Sequence, residues 1–390
     1  MEYRKFGKAD WKISSVSLGA LRIEDAAEAD GSIAIPDYSE VIKHAIGKGV
    51  NYIDLGYPQY FADPEKAAGR VSEALSGGLR ESVKTAVNIS SRGIASQQAL
   101  SAKLDGQLKL FGLDKADFCV IGDVNRGTWN SIKSVDIAGW AEKTVASGKA
   151  GDIGLKFHDN AHFLKGIIDT FPYWAFLQIE LSLLDYTHHP GVGCFKYSDE
   201  HDIAVIATDI TKAGRLLRNI PGNVLPVMEE SRRKMGQEER CIRWTLNFRE
   251  VSSVLMSARS EMYSIEQTDR YLSYIDGFSP GDVDIWEMLD AAKIRDAYYS
   301  NRNYRCTACR CCTPCPEGID MPRLVELVND GAMLSDSDIP GFQFNLEKHQ
   351  DAKCIRCGVC NSQCPKYVPL EEAVNEAFSK YSQYGREDKV

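Results

Sequence analysis

No run of apolar residues in this sequence approaches the length needed to cross a bilayer, which argues against membrane insertion. The first residues, Met-Glu-Tyr-Arg-Lys, carry no apolar signal segment, so a cytoplasmic protein is expected. A basic excess is missing as well. Lys and Arg number 46 against 55 Asp and Glu, a net charge of −9 that argues against a nucleic-acid partner. The short cluster Arg232-Arg233-Lys234 reads as a solvated helix face. Nor does any Gly-x-Gly-x-x-Gly follow a strand-like run, which disfavours a doubly wound dinucleotide-binding domain.

Cysteine is what the chain has in excess, and it is unevenly spread. Of twelve cysteines, nine lie between Cys306 and Cys364. Eight of these form two runs ending in Cys-Pro: Cys306-Thr-Ala-Cys309-Arg-Cys-Cys312-Thr-Pro-Cys315-Pro316 and Cys354-Ile-Arg-Cys357-Gly-Val-Cys360-Asn-Ser-Gln-Cys364-Pro365. Three thiolates at two-residue steps can be folded onto one cubane cluster, and the cysteine before proline ligates the other cluster in two-cluster ferredoxins. On that rule Cys306, Cys309, Cys312 and Cys364 hold one [4Fe-4S] cluster, and Cys354, Cys357, Cys360 and Cys315 hold the second. The first run has two residues rather than three before its last cysteine, a departure that bears on site geometry. Zinc would favour pairs of Cys-x-x-Cys, and disulfides an oxidising compartment, so iron–sulfur clusters are the better reading. Labile clusters also suit a reducing, anaerobic cell. Cys311 is either a spare ligand or a residue packed beside the cluster. Cys119, Cys194 and Cys241 are isolated and read as small buried apolar residues.

At 390 residues the chain is long for one core, so a large and a small domain are expected. Its 44% hydrophobic and 26% charged residues are those of a soluble globular protein. Short β-branched runs recur near Ile13–Leu18, Tyr52–Leu55, Val83–Val87, Phe118–Ile121, Ile153–Phe157, Phe176–Ile179, Ala204–Thr208 and Ser253–Ser257. Amphipathic stretches such as Tyr38–Ile46 and Gln97–Leu110 separate them. Eight strands alternating with helices predict an α/β fold, a (β/α)8 TIM barrel over residues 1–280. A helical connector is expected over 281–303, within which Asp284–Tyr299 reads as a helix. A small α-helical two-cluster ferredoxin-like domain is expected over 304–390, with a helix at Met321–Asn329. Barrel chemistry sits at the C-terminal strand ends. That points to Asp54, Asn88, Gly122, Lys156, Gln178, Asp209 and Arg259, with Tyr57, Asp123, His158 and Glu180 near them. Lys156 can act as a base or bind an anion. Alternatively it pairs with Glu180 or Asp209 in a satisfied network. His188-His189 is a poor ligand pair if extended, because adjacent side chains then point apart.

The fragments Tyr3-Arg-Lys-Phe-Gly-Lys8, Gly49-Val-Asn-Tyr-Ile-Asp54, Gly148-Lys-Ala-Gly-Asp-Ile-Gly154-Leu-Lys-Phe-His-Asp159, Leu177-Gln-Ile-Glu180, Ala213-Gly-Arg-Leu216 and Ser257-Ala-Arg-Ser260 occur in this order. Together with the paired cysteine runs they resemble the aldo-keto reductase family, in the branch with a C-terminal two-cluster ferredoxin-like domain. The resemblance implies hydride transfer from NADPH to a carbonyl, with an Asp/Tyr/Lys/His tetrad. Asp54 matches. The tyrosine position holds Gln59, flanked by Tyr57 and Tyr60. Asn88 stands in the lysine position, and Lys84 lies roughly 13 Å back along the strand. Gly122 stands in the histidine position. On the cofactor side the resemblance assigns Gln178, Arg259 and Gln267 to binding, with Arg270 replacing an asparagine, Ser182 another asparagine and Lys156 a serine.

The resulting expectation is an iron–sulfur oxidoreductase of aldo-keto reductase ancestry. Its electrons would pass through two clusters to or from a barrel mouth where Asp54, Tyr57 and Lys156 manage protons or bind an anion. A ferredoxin or flavoprotein would be its redox partner, and a small anionic or carbonyl compound its substrate. The alternatives are a non-catalytic electron-transfer or assembly subunit with a docking barrel, and an NADPH-dependent carbonyl reductase with a displaced tyrosine.

Overall fold

A computed structural model describes residues 1–21, 39–171, 173–257 and 261–382. The chain divides into two units, one of Met1–Gly214 with Met235–Met288, the other of Arg215–Lys234 with Leu289–Val390. Residues 215–234, which follow a barrel strand in sequence, therefore belong with the cysteine-rich unit. The cut expected near residue 280 contains no hint of that exchange.

The first unit is a closed barrel of eight parallel strands, flanked by helices. Its strands are β3 (Val16–Gly19), β4 (Tyr52–Asp54), β5 (Lys84–Ser90), β6 (Ala116–Val124), β7 (Ala150–Phe157), β8 (Phe176–Glu180), β9 (Ala204–Thr208) and β10 (Val251–Ser257). Every predicted strand is present. The first, read as Ile13–Leu18, joins two elements: the end of β2 (Ala9–Ser14) and the barrel strand β3. β2 pairs antiparallel with β1 (Tyr3–Phe6) in a separate hairpin.

Alternation sets what each strand turns inward. Phe118 and Phe176 meet with ring centroids 5.3 Å apart, and Phe6 of the hairpin packs on them at 5.4 and 5.2 Å. Tyr52, Ala86, Ile206 and Leu255 complete this apolar layer. Gly154 is required beside it, because a Cβ there would overlap the Phe176 ring. Two residues further along β4, β5 and β8 stand Asp54, Asn88 and Gln178, so the interior turns from aromatic to polar toward the strand ends.

In the second unit the helix Met321–Leu334 is capped by Asp320, whose side chain accepts the Arg323 N–H. It runs a turn beyond the predicted Asn329. With the helices Asp338–Leu346 and Leu370–Tyr381 it buries Leu324, Val328, Phe344, Val374 and Tyr381. The connector helix, Ile285–Tyr299, starts one residue after its predicted position. No helix among the described residues is long and apolar enough to cross a membrane.

Candidate functional site

Asp54, at the end of β4, is buried and held from three directions. Its Oδ1 accepts Asn88 Nδ2 at 2.5 Å and the Gly56 N–H at 2.9 Å, and its Oδ2 accepts Gln178 Nε2 at 2.6 Å. The same Gln178 amide reaches the Tyr52 hydroxyl at 3.3 Å. Burial raises the Asp54 pKa above the usual carboxylate range, although Gln178, the Lys156 charge, Asn88 and Gly56 all pull it down.

Tyr57 follows on the loop after β4, where its N–H donates to the Leu21 carbonyl at 2.8 Å. Its buried hydroxyl lies where a Cβ at position 122 would be, so a larger residue near the end of β6 would have to displace the phenol. The Lys156 ammonium lies 5.3 Å from the centre of the Tyr57 ring, within cation–π range. The structure thus brings Asp54, Tyr57 and Lys156 together. Tyr60 stacks beside Tyr57, with centroids 5.9 Å apart, and points its hydroxyl at Asp123. Burial and the Asp123 charge raise that phenol to about 12.

Lys156 does not pair with Glu180 or Asp209. That role belongs to Lys212, a buried lysine 3.4 Å from both Glu180 and Asp185 and 3.9 Å from Asp209. Glu180 also receives His158 at 3.0 Å and His189 at 3.7 Å. Burial pushes its carboxyl upward, but Lys212 and the two histidines outweigh this and hold it well below the usual range. The His188 and His189 rings lie 4.5 Å apart instead of pointing away from each other. His189 has φ +49°, so this stretch is a turn and not extended chain. The sequence signal for Lys212 was its place just after a barrel strand, a position weighed only for Asp209.

The cysteines gather into two cavities. One is lined by Cys306, Cys309, Cys312 and Cys364, the other by Cys315, Cys354, Cys357 and Cys360, with Cys312 also on its wall. The two loops share a backbone device: the residues before and after the middle cysteine are left-handed in both. These are Ala308 (φ +52°) and Arg310 (φ +64°) in one loop, and Arg356 (φ +54°) and Gly358 (φ +71°) in the other. Such turns aim N–H groups inward, and the Ala308 N–H lies 3.4 Å from Cys306 Sγ. Three non-glycine residues in this conformation, at roughly 1 kcal/mol each, point to a constraint beyond ordinary turn formation. The donor set suits iron–sulfur clusters. Burial lifts the Cys312 thiol to about 11, so a metal bound there would have to displace its proton. Cys311 is exposed and lines neither cavity, whereas Cys119, Cys194 and Cys241 are buried.

Residues 15–275 match the model of the aldo/keto reductase family. This chain belongs to the aldo/keto reductase family. The barrel also resembles two solved structures of aldo-keto reductase AKR11C1 from Bacillus halodurans. The holo form is 15% identical with a TM-score of 0.57, and the apo form 14% with 0.55. Each alignment covers 75% of this chain and 96% of the other. At these identities the likeness is one of fold.

Several positions that the family resemblance assigns to catalysis and cofactor binding are engaged with internal partners. Gln59, in the tyrosine position, turns to the helix Gln97–Leu110 and accepts Gln107 Nε2 at 2.9 Å. Ser182 is engaged with Asp185 at 2.6 Å. Arg259 lies outside the described residues. Gln267 is buried and donates to Glu238 at 2.9 Å. Tyr274 donates to the same carboxylate at 3.1 Å, and Arg270 lies 3.9 Å from it. A buried carboxylate, Glu261, accepts the Ser257 N–H at 2.7 Å directly at the end of β10. Gln267, one of the donors expected to hold an adenosine phosphate, therefore already faces an internal anion, with Arg270 near the same carboxylate.

Proposed function

We propose that this chain is an iron–sulfur oxidoreductase built on an aldo-keto reductase barrel, with a ferredoxin-like C-terminal unit in place of bound NADPH as its source of electrons. The observation that carries this reading is the gathering of eight cysteines into two cavities whose linings are the crossed sets that two [4Fe-4S] clusters require. Cys306, Cys309, Cys312 and Cys364 would hold one cluster, and Cys315, Cys354, Cys357 and Cys360 the other. When bound, the clusters supply one-electron exchange. Glu238 and Glu261 support the loss of dinucleotide binding.

At the barrel mouth the chain's own side chains handle charge and protons. Lys156 makes no ion pair among the described residues, so its ammonium is available to an anionic oxygen of a small carbonyl substrate. Tyr57, with that ammonium over its ring, would donate one of the two protons that two-electron reduction of a carbonyl requires, the other coming from solvent. Asp54 balances the lysine charge and, through Asn88 and Gln178, fixes the floor of the site.

Anaerobically purified protein mixed with NADPH, and separately with a reduced ferredoxin, tests this reading. Visible bleaching with ferredoxin but not with NADPH is expected. Reoxidation by a 2-oxo acid should then be lost in Lys156→Ala. Carbonyl reduction by NADPH that survives removal of iron would overturn the proposal. Bleaching with no effect of any mouth substitution would favour a non-catalytic electron-transfer subunit.

A further inference from the structure

The two cysteine loops differ from the rest of the chain in charge. Residues 305–318 and 353–368 carry five basic residues, Arg305, Arg310, Lys353, Arg356 and Lys366, against one acid, Glu317, in a chain whose net charge is −9. Arg305, Lys353, Arg356 and Lys366 are exposed. Arg356 lines one cysteine cavity, while Arg310 and Lys366 line the other. Arg310 is bound to Asp320 at 2.9 Å, and Arg356 lies 3.8 Å from Glu371 with its side chain 71% exposed. Arg305, Lys353 and Lys366 make no ion pair among the described residues.

Apolar side chains are exposed among these cations. Ile355 and Val359 line the cavity of Cys354, Cys357 and Cys360 and are 55% and 37% exposed, and Tyr367 is 89% exposed. An isolated exposed isoleucine is unremarkable. Here three apolar side chains and three cations occur within fifteen residues, around exposed Cys357. That combination has the composition of a transient protein interface, exposed apolar side chains among predominantly basic ones, with Glu371 the acid on the cavity lining.

We propose that the loop Lys353–Tyr367 is the docking surface for an acidic one-electron carrier protein, and that the carrier meets the chain at the cavity of Cys315, Cys354, Cys357 and Cys360. The proposal rests on the iron–sulfur reading above and names the partner's chemistry and point of entry. Electron exchange there moves one electron, oxidising the carrier and reducing this chain, and makes or breaks no bond. Long-range repulsion from an acidic chain disfavours other orientations of an acidic carrier, so a local basic patch selects one.

The test is calorimetric titration of the full-length, iron-loaded protein with an oxidised plant-type [2Fe-2S] ferredoxin of acidic surface. Cytochrome c, a basic one-electron carrier, serves as the control. Ferredoxin should bind, and an excess of cytochrome c should not displace it. Ferredoxin affinity should fall by at least tenfold between about 0.05 and about 0.5 M salt. Lys353→Glu with Lys366→Glu should abolish ferredoxin binding, and the milder Lys353→Gln with Lys366→Gln should weaken it. Ile355→Ser should weaken it without changing the salt dependence. Salt-insensitive ferredoxin binding, or binding unchanged in the charge variants at full iron content, would overturn the docking surface alone. Wild-type protein that holds no iron would overturn the reading beneath it.

Discussion

Gly122, in the histidine position of the family pattern, is coupled to Tyr57 beside the altered tyrosine position. The histidine expected at the end of β6 is absent, and the Tyr57 hydroxyl stands in the space. Gly122→Ala should therefore destabilise the fold by about 1–3 kcal/mol through overpacking. The cost should shrink by about 1 kcal/mol in a Tyr57→Phe background, because the hydroxyl is the atom in conflict. Urea unfolding of the four proteins in this cycle checks it, and strict additivity would contradict the placement. Asp54 gives a prediction in pH. An unfolded aspartate ionises near pH 3.9, while burial holds the folded carboxyl protonated to higher pH. Between these values the native state carries more protons, so this group lowers stability as pH rises through its folded pKa. Asp54→Asn should remove that component of the slope, seen as a flatter dependence of unfolding free energy on pH from about pH 4 upward. An unchanged slope would contradict the assignment.

Strands and helices were legible because their periodicities are strong, and the eight barrel strands carry β-branched runs of ordinary length. The hairpin β1–β2 merged with the first barrel strand because only Ser15 separates β2 from β3. The ion-pair network beyond β9 was not legible. Asp209, Lys212 and Ala213 all have positive φ, a loop geometry without a local sequence signature. Lys212 holds that loop against three carboxylates, so Lys212→Ala leaves buried charge uncompensated. It should cost about 3 kcal/mol or more in chemical denaturation. A loss below about 0.5 kcal/mol would mean the network is solvated and of surface strength. At the opposite end of the barrel, Phe118→Ala should cost about 3–5 kcal/mol, since Phe6 and Phe176 both rest on that ring.

At the scale of the whole molecule, the cysteine spacing was the most legible feature and the fate of the cofactor site the least. Gln267 was identified from its place in the family pattern, but its partner Glu238 lies 29 residues away in sequence. Only the fold brings that carboxylate to it. The same holds for residues 215–234, whose membership of the cysteine-rich unit depends on contacts that no local pattern records. Within that unit the Arg215–Asp330 ion pair, at 2.8 Å, is one such contact. With Glu238 and Glu261 facing the positions expected to take the cofactor's adenosine phosphate, no saturable change in NADPH fluorescence is predicted on titration with the protein. On the proposed reading, redox capacity resides in the two cysteine cavities. Metal and acid-labile sulfide analysis of protein purified without oxygen tests this most directly. About eight iron and eight sulfide per chain are predicted, falling to about four of each when Cys354, Cys357 and Cys360 are replaced by serine. Stoichiometric zinc, or an absence of sulfide in wild-type protein, would contradict the account.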